Sequence, residues 1–314
     1  MKPQITELLG IKYPIFQGAM AWTSEANLAT AVSNAGGAGI IATGGRSAEW
    51  VRDEIRRAKT MTDKPFGVNL MLMAPNIEEI KKVVCEEKVA FVTTGAGSPM
   101  PHIKQLQEAG VKVIPVIPNL KLAKRVAEAG VDAIVIEGME GGGHIGKQTT
   151  MSLMENILAE VKSIPVLVAG GIVDGRGIAA ALLMGAAGVQ MGSRWMLSDE
   201  CIINQKAKEA IIKATDTDSV TTGYSRNLGV RCLKNAFTDA YDAKEISGAP
   251  NEELMAMGTG TNKRGLIDGD VENGTVMCTQ AVARLNEILP CAVIMENLIA
   301  EAKETLAKAQ SIEL

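Results

Sequence analysis

Short apolar runs alternate with amphipathic helical stretches along the first two thirds of this chain. The runs occupy residues 14–18, 39–43, 66–71, 91–94, 112–117, 133–137, 165–169 and 188–191. They are rich in β-branched residues and do not alternate with polar ones, as expected of strands buried on both faces. Between them the sequence predicts helices over 25–34, 48–59, 76–86, 101–109, 121–129, 152–161 and 176–184. Ser24 reads as the N-cap of the first. Several helices stop at a glycine, Gly110, Gly130 or Gly185, where a left-handed cap favours that residue. Alternating strands and helices imply a parallel sheet. Eight such units predict an α/β fold, a closed (β/α)8 TIM barrel. An open doubly wound sheet would place G-x-G-x-x-G after the first strand. Here that strand runs into Gln17-Gly18-Ala19-Met20, and Gly95-Ala96-Gly97 lacks the third glycine.

After residue 198 the rhythm breaks. Residues 199–276 read as an inserted substrate or lid region at the C-terminal face of the barrel, with a short helix near 201–214. Amphipathic helix is expected to resume at about 277, with an interruption at Pro290. Residues 1–198 plus 277–314 then form the barrel.

With 314 residues, 46% hydrophobic and 22% charged, the chain can bury a substantial core. A net charge of -4 and 3% aromatic residues argue against nucleic-acid binding by bulk charge or base stacking. Five cysteines without C-x-x-C spacing read as reduced thiols of a cytoplasmic protein. Two histidines and dispersed cysteines predict no metal centre. The N-terminal residues show no charged-then-apolar pattern and the apolar runs are broken by Gly, Pro or charge, so neither export nor membrane insertion is expected.

Glu137-Gly-Met-Glu-Gly-Gly-Gly-His144 follows the sixth run directly. His144 stands among glycines at the end where barrel enzymes place chemistry, and imidazole exchanges protons near neutral pH. The plain alternative is a surface histidine on a flexible turn. His102, at the start of a surface helix, fits that alternative better. Gly170-Gly171 and Gly192-Ser193 follow the seventh and eighth runs, where barrels commonly bind phosphate through backbone amides. Asn69, Gln17 and Met20 are candidates to meet a cofactor ring, although Asn69 and Gln17 fit equally well as satisfied interior amides. Glu137 is a candidate to bind a hydroxyl or orient His144, against a structural ion pair.

These blocks resemble a known family. Tyr13-Pro-Ile-Phe-Gln-Gly-Ala-Met-Ala-Trp22, Thr62-Asp-Lys-Pro-Phe-Gly-Val-Asn69, Glu137 to Lys147, Ala169-Gly-Gly-Ile172 and Gly269 to Met277 are similar to flavin-dependent enoyl-acyl-carrier-protein reductase II, itself similar to nitronate monooxygenases, formerly 2-nitropropane dioxygenases. The resemblance implies FMN on the barrel, NADH or NADPH as electron source, and reduction of a trans-2-enoyl thioester in bacterial type II fatty-acid synthesis. It also implies activation by a monovalent cation (K+ or NH4+). His144 becomes the catalytic histidine. Gln17, Gly18, Ala19, Met20, Asn69, Glu137, Gly170, Gly171, Gly192 and Ser193 would surround FMN. Met277-Cys278-Thr279-Gln280 departs from the pattern, which more often has Met-Ala-Gly-Gln. Partners implied are an enoyl acyl-carrier protein or enoyl-CoA, with a homodimer expected because such barrels are often dimers. Arg226, Arg231, Lys234, Lys263 and Arg264 are candidates to meet a carrier's phosphates or an acidic carrier protein, against a solvated mixed-charge surface. The rival activities are oxidation of alkyl nitronates and, from another class, a non-catalytic phosphate-ligand sensor.

Overall fold

The computed structural model describes residues 4–313. Residues 1–3, part of the stretch read above for an export signal, and residue 314 lie outside the described residues. Strands β1 (Ile15–Gln17), β2 (Ile40–Ala42), β3 (Gly67–Met71), β4 (Phe91–Gly95), β5 (Lys112–Ile117) and β6 (Ile134–Glu137) form in order. A short strand β7 (Gly143–His144) follows, then β8 (Val166–Ala169), β9 (Gly188–Met191), β10 (Ser219–Thr222) and β11 (Val230–Leu233). Eight of them make one parallel sheet in the order β1-β9-β8-β6-β5-β4-β3-β2. All eight coincide with the apolar runs of the sequence.

The cylinder closes between β1 and β2. Phe16 bridges Ala38, and the Gln17 N–H donates to the Ala38 carbonyl at 2.9 Å. The Gln17 side chain reinforces the seam: its Oε1 accepts from the Ile40 N–H at 3.0 Å, and its Nε2 donates to Ser24 Oγ at 2.9 Å.

Two apolar layers follow from the pleat, because successive side chains of each strand point to opposite faces. Phe16, Ile40, Phe91, Ile114, Val135 and Leu167 fill the barrel interior, joined by Ile5 and Leu9 of the helix Gln4–Leu9. That helix therefore plugs the barrel from one end. The other layer, including Ile15, Val68, Val92, Ile134, Val168 and Val189, packs against the surrounding helices. The interior is tight: a Cβ on Gly67 would lie 2.4 Å from the Phe91 ring. Truncating Phe91 to alanine should cost about 3 to 5 kcal/mol.

Gly110, Gly130 and Gly185 end helices at φ +78, +80 and +98, with open space around each position. It is the left-handed backbone, not crowding, that calls for glycine there. The first helix differs from expectation. It spans Ala26–Asn34 and is capped by Glu25, whose carboxylate accepts from the Asn27 N–H at 3.1 Å. Ser24 is drawn instead into the turn after β1, accepting from the Met20 N–H at 3.0 Å.

Residues 199–276 carry a helix Gln205–Lys213, strands β10 and β11, and helices Ala236–Ile246, Asn251–Gly258 and Thr261–Leu266. Strand β11 pairs antiparallel with both β10 and β7, so this region is sewn to the loop after β6. The expected helix from 277 does not form; only Cys291–Ala309 is helical, with a single 3-10 turn at Val282–Arg284 before it. Tertiary bonds override the local periodicity. The Thr279 N–H donates to Ser193 Oγ and the Gln280 N–H to the Glu140 carbonyl, both at 2.9 Å, drawing the segment across the barrel's C-terminal end. Among the described residues no helix is long and apolar enough to cross a membrane, and no cluster of three potential metal ligands occurs.

Candidate functional site

The site forms where the inner faces of the strands reach the C-terminal end of the barrel. On β6, Val135 belongs to the interior layer, so Glu137, two residues on, points the same way. On β9, Val189 and Met191 pack outward, which turns Gln190 inward. Asn69 of β3 shares this upper layer. Its Nδ2 donates to Thr93 Oγ1 at 3.0 Å, fixing the amide with Oδ1 uncommitted.

Glu137 lies deep within the protein, yet its side chain is only half-buried. A residue surrounded by protein and still reached by solvent lines a cavity. No hydrogen bond or ion pair of a described residue engages its carboxylate, and burial raises its pKa to about 7. Gln190 is buried and its Oε1 has no partner among the described residues. A buried acceptor without a donor is rare in a native chain and marks a place for a ligand or ordered water. The interior run around Gln190 was legible as a strand, but its inward-facing polar group was not singled out from sequence.

His144 is not on a free turn. It forms β7 with Gly143 and pairs with Val230, while the Ile145 N–H donates to the Gly229 carbonyl at 3.1 Å. Its ring is open to solvent, but surrounding protein lowers its pKa below the usual imidazole value by desolvation. At neutral pH it is therefore an uncharged donor or acceptor. No hydrogen bond joins it to Glu137. The neighbouring glycines serve packing as well as access. A Cβ on Gly142 would meet the Cys278 main chain at 2.8 Å, and one on Gly138 the Thr150 main chain at 2.5 Å.

Arg231 lies opposite Gly143 in the ladder and is buried. Its Nε donates to the Met139 carbonyl at 3.0 Å and its guanidinium reaches Ser219 on β10 at 3.3 Å. It therefore clamps the His144 loop, and burial removes it from the carrier-docking candidates.

The ends of β8 and β9 form a cradle. Gly170 and Gly171 have φ +94 and +77, side by side in the left-handed region. Among the described residues no hydrogen bond engages the N–H groups of Gly170, Gly171, Gly192 or Ser193. Gly192 and Ser193 open the short helix Ser193–Met196. Such unpaired donors suit a phosphate. The Ser193 hydroxyl is already an acceptor for Thr279 N–H, so its amide is the freer group. Met20 lies over Gly192, with Sδ 3.5 Å from where a Cβ would stand. Ala19 is half-buried beside it. Gly18 is buried, its N–H donating to the Met191 carbonyl at 2.8 Å. Gln17 is wholly enclosed in the barrel seam, where it presents no surface to a bound molecule.

Thiol chemistry is disfavoured. Burial pushes Cys232 and Cys278 up to about 12 and Cys201 to about 11, far from a neutral-pH thiolate. His102 sits at a helix start with its Nδ1 3.2 Å from Lys81 Nζ, consistent with a structural role.

A family model described as nitronate monooxygenase matches residues 2–87 and 76–301. A curated relative from Mycobacterium tuberculosis, (3aS,4S,5R,7aS)-5-hydroxy-7a-methyl-1-oxo-octahydro-1H-indene-4-carboxyl-CoA dehydrogenase, is 31% identical over 99% of both chains. A nitronate monooxygenase of Paraburkholderia phytofirmans is 33% identical over 97% of this chain and 96% of its own. Among solved structures, FabK from Thermotoga maritima superposes with a TM-score of 0.95 at 42% identity, covering 99% of each chain. A nitroalkane oxidase from Streptomyces ansochromogenes gives 0.86 at 26%, over 98% of this chain and 99% of its own.

Proposed function

This chain belongs to the nitronate monooxygenase family, and from that premise we propose that it is an FMN-dependent reductase of trans-2-enoyl thioesters using NADH or NADPH. The observation that carries the proposal is the row of unengaged backbone N–H groups at Gly170, Gly171, Gly192 and Ser193, on the same rim as His144. The 42% identity to FabK, an enoyl-acyl-carrier-protein reductase II, over nearly the full length favours reduction over nitronate oxidation. Residues 199–276 serve as the substrate-covering region, held to the site through β11 and β7.

FMN, when bound, supplies hydride transfer from a nicotinamide to the β-carbon of the enoyl thioester. The amides of Gly170, Gly171, Gly192 and Ser193 would hold its phosphate. Gly18, Ala19 and Met20 of the β1 loop would help hold it, and the uncommitted Asn69 Oδ1 and orphaned Gln190 Oε1 would be available as acceptors for its donors. Glu137, its carboxyl pushed up to about 7 by burial, completes that inner layer. His144, kept neutral by desolvation, donates an N–H to the thioester oxygen as negative charge gathers there. The β7–β11 pairing fixes the backbone that aims this imidazole. Activation by K+ or NH4+ belongs to the same reading and is checked by omitting both.

The second reading is nitronate oxidation, favoured by the family model itself. The reductase reading is tested by NAD(P)H consumption with crotonyl-CoA in the absence of oxygen. Nitronate-dependent oxygen uptake without nicotinamide, and no anaerobic turnover of the thioester, would reverse the assignment.

A further inference from the structure

Arg46 stands on the turn after β2, at the C-terminal end of the barrel, with its N–H bonded to the Thr43 carbonyl at 3.0 Å. Its guanidinium lies between two indoles. The guanidinium carbon is 4.2 Å from the Trp22 ring centre and 4.3 Å from that of Trp50. Cation–π contacts of this kind use the faces of the guanidinium and leave its edge free. No side-chain hydrogen bond or ion pair of a described residue engages it, and its Nε is buried without a partner. The carboxylates that act on it, Glu54 and Glu25, are already bonded to Arg57, Glu25 at 2.7 Å and Glu54 at 3.2 Å. A second cation joins the cluster. Asn262 Nδ2 donates to the Ala21 carbonyl at 3.2 Å, and next to it Lys263 places Nζ 5.6 Å from the Trp22 ring centre. Trp22 holds φ +67, a strained backbone for a bulky residue, so its ring position is enforced by the surrounding fold.

A planar fork with free donors, held rigid by two rings and backed by an ammonium, matches a phosphoryl group. We infer that Trp22, Arg46, Trp50 and Lys263 form the docking site for an organic phosphate on the carrier arm of the substrate or cosubstrate. This rests on the thioester reading above. The phosphate belongs either to the pantetheine arm or to an adenosine phosphate, both of which coenzyme A carries. The site lies beside the loop bearing Met20, so an arm anchored there reaches the barrel mouth from the β1–β2 side.

The test is calorimetric titration of the FMN-loaded protein with CoA, with pantetheine, which lacks phosphate, and with ADP. CoA should bind at least tenfold more tightly than pantetheine, and Arg46→Gln should abolish that difference. Lys263→Gln, an exposed position that leaves folding intact, should weaken CoA several-fold and pantetheine not at all. ADP competing with CoA assigns the site to the adenosine phosphates; ADP without effect assigns it to the pantetheine phosphate. Equal affinity for CoA and pantetheine, no CoA binding, or a difference that survives both substitutions would overturn the inference. These titrations need no turnover, so their outcome is separate from whether the thioester is reduced.

Discussion

His144 is laddered to Val230. The pair joins a two-residue strand in the glycine-rich loop after β6 to the outer sheet of residues 219–233. The catalytic candidate thus takes its position from a segment about 90 residues further along the chain. Val230 and His144 form a non-hydrogen-bonded pair, so Val230→Pro removes a donor that β11 offers to β10 opposite Thr222 and, by bending β11, pulls it away from β7. It should lower turnover about 10²-fold while FMN stays bound, because the amides after β8 and β9 are untouched. Turnover with crotonyl-CoA and the flavin content of the purified variant check both halves. Unchanged turnover would show that the ladder does not aim His144.

Arg231 makes the same coupling from the side-chain direction. Arg231→Met leaves the Met139 carbonyl without its donor and frees Ser219. A buried hydrogen bond to a charged group contributes about 1.5 to 3 kcal/mol, so the melting temperature should fall by several degrees. A variant as stable as the parent would mean the clamp adds nothing.

The cradle makes its own prediction. Alanine at Gly171 must adopt φ +77 and would place its Cβ 2.6 Å from Glu140 Oε2. The left-handed backbone alone costs about 1 to 2 kcal/mol, and the shift of the turn misaligns the amides. Gly171→Ala should lose FMN on dialysis that the parent survives, measured as visible absorbance relative to protein absorbance. Full retention would place the phosphate elsewhere.

Glu137 and His144 give opposite pH dependences in the FMN-free protein. The folded-state pKa of Glu137 is raised from 4.5 to about 7. The folded state therefore binds more protons than the unfolded chain between those values, and stability falls as pH rises through that window. The full effect is up to about 3 kcal/mol. Glu137→Gln should remove it, so its unfolding free energy relative to the parent should grow between pH 5 and pH 8 by roughly that amount, seen as a rising melting-temperature advantage. For His144 the folded pKa is lowered, so stability is lost as pH falls below the unfolded value near 6.5. His144→Asn should flatten the acid side of the profile. Thermal melts across pH that run parallel to the parent in both variants would contradict these assignments.

The strands and most helices were legible because their signals are local: β-branched runs, amphipathic spacing and glycine stops at Gly110, Gly130 and Gly185. The glycine-rich loop, His144 and the two glycine pairs were legible for the same reason. What escaped is set by contacts between distant segments. Gln190 is one polar residue in an apolar run, and only its inward direction on β9 reveals its orphaned acceptor. Gln17 was a candidate for the cofactor, but barrel closure encloses it between β1 and β2. Ser24 lost the helix cap to Glu25 because the β1 turn needs its hydroxyl. The amphipathic pattern after 277 gives way to bonds with Ser193 and Glu140. The Trp22–Arg46–Trp50 stack has no spacing signature at all.

The most direct test follows the flavin spectrum without oxygen. The purified protein should be yellow, bleach with NADH or NADPH, and regain its colour when crotonyl-CoA is added. His144→Ala should bleach normally and recover its colour about 10²- to 10⁴-fold more slowly. A colourless protein that takes up no FMN, or a reduced one that oxygen reoxidises and crotonyl-CoA does not, would contradict enoyl-thioester reduction at this barrel mouth.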